Sequence, residues 1–299
     1  MIKITFLGTS DQIPSSRRNH FSAWLNYNEE NILIDCGEGT QRQIRKANLN
    51  PCKITRILIT HWHGDHILGL PGLLSTLAVS GYNKELTIYG PKGISKNIFE
   101  MLKLFNFYRE YKIEVKEVSG KFFENEDFYL NAEEMKHTIS CNAYSFTEKG
   151  KTRINKKALE KSGLSPGPIL SKLKEGKDVT YDGKKYKSKD LTYKEEDKKI
   201  SFVLDTIKNT KIQNFVKNSD LFISESTYLE ELKNQAKEHF HLTAKQVGEI
   251  AKKAKVKKLI LTHISQRYEA NFLEVLNEAK KEFGKEVFIP KDLESFELE

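Results

Sequence analysis

The sequence predicts an α/β fold. Seven short runs rich in Ile, Leu, Val and Phe have the length and composition of buried strands: KITFLG, ILIDCGEG, RILITHW, LTIYG, SFVLDT, LFISES and KLILTHIS. Several of these runs alternate with stretches of helical periodicity, as strands buried between helices do. The hydrophobic content of 38% and the aromatic content of 10% are ordinary for a globular core. The 299 residues suffice for one large α/β domain or two smaller ones.

Helices are predicted between the strands from their start signals. TQRQIRKANL follows the second strand run, with Thr40 and Gln43 in the spacing of a capping box. TAKQVGEIAKKA repeats that spacing with Thr243 and Gln246, and its apolar residues fall on one face. The tail after Gly284 predicts a final strand and a sheet edge.

Several classes of protein are disfavoured by composition. No apolar run approaches the roughly 20 residues of a membrane span, so we expect no membrane association. The first strand begins at once in MIKITFLGTS, which leaves no room for a signal peptide. The three cysteines, Cys36, Cys52 and Cys141, are scattered, which argues against a disulfide framework and for a reducing, cytoplasmic location.

The net charge of +8 is concentrated in one segment. Between Lys149 and Lys199 the excess of Lys and Arg equals that of the whole chain, so the remainder is balanced. Such a segment is usually a solvated loop, and the alternative is a patch for a polyanion such as nucleic acid. Within it, residues 151–194 carry turn signals and little apolar periodicity. We expect a single domain over residues 1–299 in which 151–194 is a basic insertion, with a disordered linker as the alternative.

The stretch ILITHWHGDH places four coordinating side chains directly after a strand. His61 and His63 are two residues apart at the end of a strand, so we expect both to point to the same face. Asp65 and His66 follow from the next loop or helix. A lone histidine is usually a hydrogen-bonded core residue, but four such groups in six residues predict a metal site.

Other strand ends carry matching groups. His137 follows NAEEMK, Asp205 closes ISFVL, and His263 closes KKLILT. Ionisable residues at the ends of buried strands are typical of α/β active sites. Asp35 also closes a strand, and we expect it to orient a ligand by hydrogen bonding.

THWHGDH resembles the H-x-H-x-D-H signature of the metallo-β-lactamase superfamily, and the three later residues match its remaining ligand positions in order. This resemblance implies a four-layer αβ/βα sandwich. It also implies two Zn²⁺ per subunit, one held by His61, His63 and His137, the other by Asp65, His66 and His263, with Asp205 as the bridge. Because the ligands are histidines and aspartates, Mn²⁺ or Fe²⁺ would suit the site nearly as well.

Further segments resemble the ribonuclease Z family over most of the chain: FLGTSDQIPSSRRNHFSAWL, LIDCGEGTQRQI, GLSPGPILSKLKEGKDV, HLTA and THISQRY. The resemblance implies a zinc-dependent endoribonuclease that cuts precursor transfer RNA after the discriminator nucleotide. The products are transfer RNA with a 3′-hydroxyl and a trailer with a 5′-phosphate. It also implies a projecting RNA-binding arm at 151–194, inserted in the second half of the fold, and a homodimer, with neither membrane nor DNA as a partner.

The same resemblance implies RNA contacts, listed here in chain order: Arg17, Arg18, Asn19, Gly167, Pro168, Glu225, Thr227 and Thr243. The sequence departs from the family pattern at four positions: Ser16 stands where lysine is expected, Ser224 and Ser226 alter the H-E-A-T pattern, and Leu204 replaces the usual glycine before Asp205. The departure at Ser16 bears on contact with the 3′ end of the RNA, and every ligand position is filled.

The implied mechanism uses a pair of divalent cations to activate a shared water against the phosphorus. Asp65 can accept the proton of that water while it ligates. The leaving ribose 3′-oxygen needs a proton, and His241 in HLTA is the expected donor, because histidine exchanges protons near neutral pH.

Two other functions compete with this interpretation. A small-molecule metallo-hydrolase, such as a lactonase or phosphodiesterase, would explain the ligands but not the basic insertion. A non-catalytic RNA-binding protein would explain the insertion but not the ligands or His241.

Overall fold

The structure is a computed structural model that describes residues 1–105 and 109–298. The predicted domain bounds, 1–299, also include residues 106–108 and 299, which lie outside the described part. In chain order, its strands are β1 (Ile2–Gly8), β2 (Ser22–Tyr27), β3 (Glu30–Ile34), β4 (Arg56–Leu58), β5 (Leu86–Gly90), β6 (Ile113–Glu117), β7 (Gly120–Glu124), β8 (Phe128–Met135), β9 (Cys141–Glu148), β10 (Thr152–Ile154), β11 (Val179–Tyr181), β12 (Lys184–Tyr186), β13 (Thr192–Lys194), β14 (Lys198–Val203), β15 (Leu221–Glu225), β16 (Lys258–Thr262), β17 (Val287–Phe288) and β18 (Ser295–Leu298).

Helices lie in about half of the connections between consecutive strands. They are α1 (Thr40–Lys46), α2 (Gly64–Ile67), α3 (Leu70–Val79), α4 (Ile94–Phe105), α5 (Lys156–Ser162), α6 (Ile169–Lys174), α7 (Ser188–Leu191), α8 (Thr210–Phe215), α9 (Lys233–Glu238), α10 (Ala244–Lys253) and α11 (Phe272–Phe283). Short 3₁₀ turns lie at Pro51–Lys53, Glu230–Leu232 and Gln266–Tyr268. In the part of the chain that the structure describes, no helix is long and apolar enough to cross a membrane.

Two seven-stranded sheets form the centre of the fold. Their strand orders are β18-β1-β2-β3-β4-β5-β6 and β17-β16-β15-β14-β9-β8-β7. Strands β3 to β6 are parallel in the first sheet, and β14 to β17 are parallel in the second. All seven strand runs predicted from sequence are strands, and the predicted terminal edge is confirmed by β17 and β18, each at the edge of a sheet.

Each sheet buries an apolar face under its own helices. In the first sheet, Leu33 belongs to one buried cluster with Ile44 of α1 and Leu74 of α3. In the second, Phe222 belongs to a cluster with Val247 of α10 and with residues of α8 and α11. Between the sheets, the rings of Tyr27 and Phe146 lie 5.3 Å apart. Helices, sheet, sheet and helices therefore form the four layers that the sequence predicted.

The direction of the strands determines where the functional side chains meet. Because β14, β15 and β16 are parallel, their carboxyl ends lie at one edge, where Asp205, Glu225 and His263 are found. In the first sheet, β3 and β4 are also parallel, and Asp35 N donates to Leu58 O at 2.9 Å. Asp35 and the residues after β4 thus share the corresponding edge.

The capping predictions had different outcomes. At α10 the capping box is confirmed, with reciprocal hydrogen bonds between Thr243 and Gln246. At α1 it is wrong, because Gly39 is the N-cap and Thr40 already lies within the helix. Gln43 instead donates to Leu7 O at 2.8 Å, so its amide ties the helix to the first strand.

Residues 124–129 and 147–198 form a second compact unit. Its small core contains six buried side chains: Leu159, Leu164, Leu173, Val179, Tyr186 and Leu191. Short pairs of strands, β10 with β13 and β11 with β12, frame this core together with α5, α6 and α7. The basic surplus lies on exposed side chains, so the unit combines a minimal apolar interior with a cationic surface. That residues 151–194 are an arm inserted in an otherwise single domain stays a prediction.

Candidate metal centre

Three histidines converge just beyond β4. His61 and His63 lie in the segment between β4 and α2, and His137 follows β8. His63 Nδ1 lies 3.1 Å from His61 Nε2 and 3.2 Å from His137 Nε2. Asp205 Oδ2 completes the group, at 3.5 Å from His61 Nε2 and 3.9 Å from His137 Nε2. The four donor atoms surround one point, as the ligands of a metal ion do.

A second group shares Asp205 with the first. Asp65 Oδ2 lies 3.2 Å from the Nε2 atoms of both His66 and His263. Those two nitrogens are 3.3 Å apart, and Asp205 Oδ1 lies 3.3 Å from His263 Nε2. The two oxygens of one aspartate therefore face two adjacent sets of donors, the arrangement expected of a bridging carboxylate.

The donor sets fit a pair of cations. Ligands at 2.0–2.1 Å around a tetrahedral metal are roughly 3.3 Å from one another, close to the separations within both groups. Neutral imidazole nitrogens at such distances direct lone pairs at each other, which is unfavourable unless a cation or a proton lies between them. Asp205 Oδ1 is buried and has no hydrogen-bond partner among the described residues, a costly state that a cation would relieve.

Three residues at the site have strained backbones. Asp35, Asp205 and His263 have φ angles of +54°, +29° and +51°, in the left-handed region that non-glycine residues rarely adopt. Each follows a buried strand directly or by two residues. Strain of this kind concentrates at functional sites, where the surrounding structure holds it.

Buried partners orient the ligand rings. Asp35, as predicted, contacts a ligand: its Oδ2 accepts from His66 Nδ1 at 2.7 Å and from Thr60 Oγ1 at 2.7 Å. Thr60 also lies 3.0 Å from His61 Nδ1, so one aspartate and one threonine fix two rings. His263 Nδ1 lies 3.1 Å from Thr227 Oγ1. These contacts leave the Nε2 atoms free to face the centre.

Burial and neighbouring charges shift the pKa values of the candidate ligands. Burial, reinforced by the charge of His66, lowers the pKa of His61 well below its ordinary value, so its ring is neutral and can donate a lone pair. Burial also lowers the pKa of His66, but Asp205, Asp35 and Asp65 outweigh it and raise that pKa well above the usual value. Although burial opposes it, the proximity of His66 and His263 holds the pKa of Asp65 below its usual range, so this carboxylate is ionised.

His241 lies beside the metal centre and pairs with Glu225. Its Nδ1 is 3.0 Å from Glu225 Oε2, and the ring centroid is 5.6 Å from those of His137 and His263. Glu225 is fully buried and also accepts from Thr206 N at 2.8 Å. Burial lowers the pKa of His241, but the charges of Glu225 and Asp205 outweigh burial and raise it to about 9.

A cavity of 320 Å³ gives access to the centre. Its lining comprises Asp11, Gln12, His63, Asp65, His137, Thr138, Asp205, Thr227, Tyr228, Glu238, His239, His241 and His263. Both members of the predicted catalytic pair, Asp65 and His241, face it. His239, which the sequence did not single out, also lines the cavity. Its ring is nearly parallel to that of Tyr228, and the two ring centroids are 6.5 Å apart.

The predicted RNA contacts in the N-terminal loop differ in exposure. Arg17 is exposed, whereas Arg18 is 8% exposed and donates to Thr9 Oγ1 at 3.0 Å and to Pro290 O at 3.2 Å. Asn19 donates through its side chain to Glu38 O at 2.7 Å. The loop is thus held by internal bonds, with Arg17 free to meet solvent.

The predicted contacts in the second half are mostly interior. Glu225, Thr227 and Thr243 are buried, and Thr227 Oγ1 donates to Glu225 Oε2 at 2.6 Å. In the second compact unit, Gly167 and Pro168 are both exposed, and Pro168 is the N-cap of α6.

Sequence patterns did not reveal several residues that shape the site. Thr60 directly precedes His61. Its polar side chain after an apolar strand was the feature of the sequence that could have indicated its role. Asp292 accepts from Asn19 N at 2.7 Å and from Thr9 Oγ1 at 2.8 Å. It therefore stabilises the N-terminal loop, although 273 residues separate it from Asn19 in the sequence. Contacts of that separation leave no local trace in a single sequence.

Comparison with known proteins gives four clear similarities. A family model described as "Anti-Pycsar protein Apyc1" matches residues 2–148. The chain is 38% identical to a ribonuclease Z of Nanoarchaeum equitans over 272 residues, which cover 91% of this chain and 86% of the relative. It is 38% identical to a ribonuclease Z of Bacillus cereus over 309 aligned positions that cover 100% of both chains. The solved structure of human tRNase Z, short form, superimposes with a TM-score of 0.72 at 27% identity, covering 99% of this chain and 98% of that one.

Proposed function

The chain belongs to the ribonuclease Z family, and we propose that it removes 3′ trailers from precursor transfer RNA by endonucleolytic hydrolysis at a centre of two divalent cations. One observation carries the proposal. Seven histidine and aspartate side chains from distant parts of the chain form two adjacent donor groups that share Asp205. This arrangement suits the hydrolysis of a phosphodiester, which an inert RNA-binding protein does not need.

The first cation would be held by His61, His63 and His137, and the second by Asp65, His66 and His263, with Asp205 common to both. Two cations bound there would supply an activated water and neutralise charge on the phosphate. We propose zinc for both, since histidine and aspartate ligands suit it, with manganese or iron as substitutes.

Asp65 positions the attacking water in this proposal. Its carboxylate is ionised and faces the cavity, so it can accept a hydrogen bond from the water and take up its proton as the phosphorus is attacked. Because Asp65 also belongs to the second donor group, its main role in this proposal is to hold the water in position.

His241 donates the proton to the departing 3′-oxygen. Glu225 accepts from its Nδ1, which turns Nε2 toward the cavity and favours the protonated ring. Thr206 N donates to Glu225 Oε1 at 2.8 Å and Thr227 Oγ1 donates to Oε2 at 2.6 Å, so both oxygens of the carboxylate are held in place. A protonated, oriented imidazole is the group that a ribose leaving group requires.

The buried residues among the predicted RNA contacts act by positioning in this proposal. Arg18 fixes the N-terminal loop so that Arg17 and Asn19 can meet the 3′ end of the transfer RNA. Glu225 and Thr227 act through His241 and His263, and Thr243 through the start of α10. Gly167 and Pro168 belong to the arm, whose exposed lysines would contact phosphates of the folded part of the substrate and read shape more than sequence.

We propose that the protein acts as a homodimer in the cytoplasm. The dimer is supported by three exposed apolar side chains: Leu68 before α3, Val79 at the end of α3 and Leu104 in α4 are exposed by 58%, 85% and 77%. Exposed apolar surface commonly marks protein interfaces. The cytoplasmic location is supported by the free cysteines Cys36, Cys52 and Cys141. Membrane lipid and DNA are not proposed as partners.

The test is a precursor transfer RNA with a 3′ trailer, incubated with protein loaded with zinc or manganese. Release of an intact trailer with a 5′-phosphate, after the discriminator nucleotide, supports the proposal. Turnover of a lactone or of bis-(p-nitrophenyl) phosphate without RNA cleavage would favour a small-molecule hydrolase. Tight binding of RNA without any hydrolysis would favour a binding protein.

A further inference from the structure

A second cavity adjoins the metal centre. This groove, of 640 Å³, is lined by residues 134–140, which comprise the end of β8 and the segment after it, and by residues 209–211 at the start of α8. It shares His137 and Thr138 with the cavity that contains the ligands. Thr138 Oγ1 lies 3.4 Å from His63 Nε2, so the groove begins within one side chain of the first donor group.

The groove has the chemistry of a single-stranded RNA site. Lys136 is exposed, and no carboxylate within residues 1–105 and 109–298 pairs with it. Lys211 supplies a second cation. Its ammonium group lies 3.2 Å from a carboxylate oxygen of Glu133, and half of the lysine side chain is exposed. The side chains of Thr138, Ser140 and Thr210 add hydroxyls. Lysines and hydroxyls are the usual partners of phosphate and sugar oxygens. Glu134 lies in the lining and Glu133 pairs with Lys211, so Lys136 is the cation of the groove best placed to meet a phosphate.

The backbone on both sides of the groove is fixed. Lys136 O accepts from Ile207 N at 3.0 Å and from Thr206 Oγ1 at 3.1 Å, which ties the strand end to the segment after Asp205. Asn209 Nδ2 donates to Ile207 O at 2.8 Å. The groove is therefore preformed, which lowers the entropic cost of ordering a ligand in it.

An endonuclease cuts inside a strand, so its centre needs room for RNA on both sides of the scissile phosphate. His241, the proton donor to the 3′-oxygen in the proposed mechanism, places the end of the transfer RNA beside its own ring and that of Tyr228, whose centroid lies 6.1 Å away. The trailer, attached through the phosphate's other ester oxygen, needs a different exit. The groove past Thr138 provides one.

We propose that this groove binds the first nucleotides of the 3′ trailer as single-stranded RNA, with Lys136 in contact with a trailer phosphate. The inference rests on the proposed function and deepens it, because it assigns a subsite to the 3′ trailer, the segment that is cut off. It makes the enzyme sensitive to trailer length.

The test compares precursor transfer RNAs with trailers of one and six nucleotides. For the native protein, kcat/KM should be about tenfold higher with the longer trailer. Lys136→Glu should reduce this ratio by about fivefold, and the salt dependence of kcat/KM for the long trailer should flatten by about 0.7 in the log–log slope, the value for one phosphate contact with a single strand. The matched control is Lys217→Glu, an exposed lysine outside both cavities, which should retain the native ratio.

A second variant, Ser140→Tyr, fills the groove from an exposed position and should also reduce the ratio. A native protein that does not distinguish the two trailers would overturn the groove proposal and leave the nuclease intact. So would a Lys136→Glu variant that slows both substrates equally. A native protein that cleaves neither transcript would overturn the proposed function itself.

Discussion

The metal centre and the second compact unit, residues 124–129 and 147–198, use charged residues in different ways. At the centre, His61, His66, Asp205 and His263 are almost completely buried, and each contacts several other ionisable groups. In the second unit most ion pairs are exposed, as between Lys177 and Glu175, whose side chains are 69% and 56% exposed. Buried charged groups interact strongly, so the substitution of one of them is costly. Exposed ion pairs contribute little to stability, so their residues can be replaced.

This difference suggests a division between chemistry and recognition. Buried, mutually oriented groups suit a reaction in which tenths of an ångström matter. Exposed cations on a small core suit contacts with phosphates, which depend on the sum of many charges. Substitutions at the centre should therefore abolish every activity, whereas changes in the second unit should affect large RNA substrates selectively.

The largest effect is expected from Asp205→Asn. The amide cannot supply an anionic bridge between the two donor groups, so metal content should fall and hydrolysis of both RNA and bis-(p-nitrophenyl) phosphate should drop by about 10⁴-fold. Activity assays paired with elemental analysis check this. The matched control is Asp182→Asn in an exposed turn, which should behave as the native protein. Selective loss of RNA cleavage by Asp205→Asn would contradict the comparison.

Deletion of residues 151–194 should have the next largest effect. Glu195 N donates to Lys151 O at 3.0 Å, so two glycines can join Gly150 to Glu195 without strain. Loss of several phosphate contacts should lower kcat/KM for precursor transfer RNA by about 10³-fold, with hydrolysis of the small phosphodiester within about twofold of native. If both activities fall together while metal content stays normal, the division between the two regions is wrong.

His241→Ala should slow RNA cleavage by about 10²- to 10³-fold, since the 3′-oxygen then leaves without a proton donor. Nitrophenolate leaves without protonation, so bis-(p-nitrophenyl) phosphate should be hydrolysed at close to the native rate. The neighbouring His239→Ala, which changes a cavity wall outside the Glu225 pair, is the matched control and should affect RNA cleavage far less. Equal slowing of both substrates by His241→Ala would remove that residue from the donor role.

Glu225→Gln should have the smallest of these effects, about 10-fold on RNA cleavage, because the amide can still orient the ring but no longer favours its protonation. Its effect should largely disappear in the His241→Ala background, since Glu225 acts through that histidine. A double-mutant cycle of kcat/KM measures this coupling. Fully additive losses would show that Glu225 acts on RNA by another route.

Much of the fold was predictable because its signals are local. The seven strand runs and the Thr243 capping box depend on neighbours within a few residues. The candidate metal ligands could be recognised because they come after the ends of strands. The Thr40 prediction failed because Gly39, with φ of +80°, takes the N-cap position, and tertiary contacts recruit Gln43.

The convergence of the candidate donor residues was predictable, but their supporting contacts were not. His61, His63, Asp65 and His66 lie within one short motif, whereas Glu225 meets His241 only because strand β15 ends beside the loop before α10. The burial of Arg18 depends on the backbone of Pro290, which no pattern near residue 18 encodes. Packing of distant segments decides which predicted residues face the cavity.

The most direct test of the account is a metal titration of the purified, folded protein with elemental analysis. The account predicts about two equivalents of a divalent transition metal per chain, and hydrolysis that disappears with chelation and returns as the second equivalent is added. Folded protein that contains no transition metal and takes up none on dialysis would contradict it.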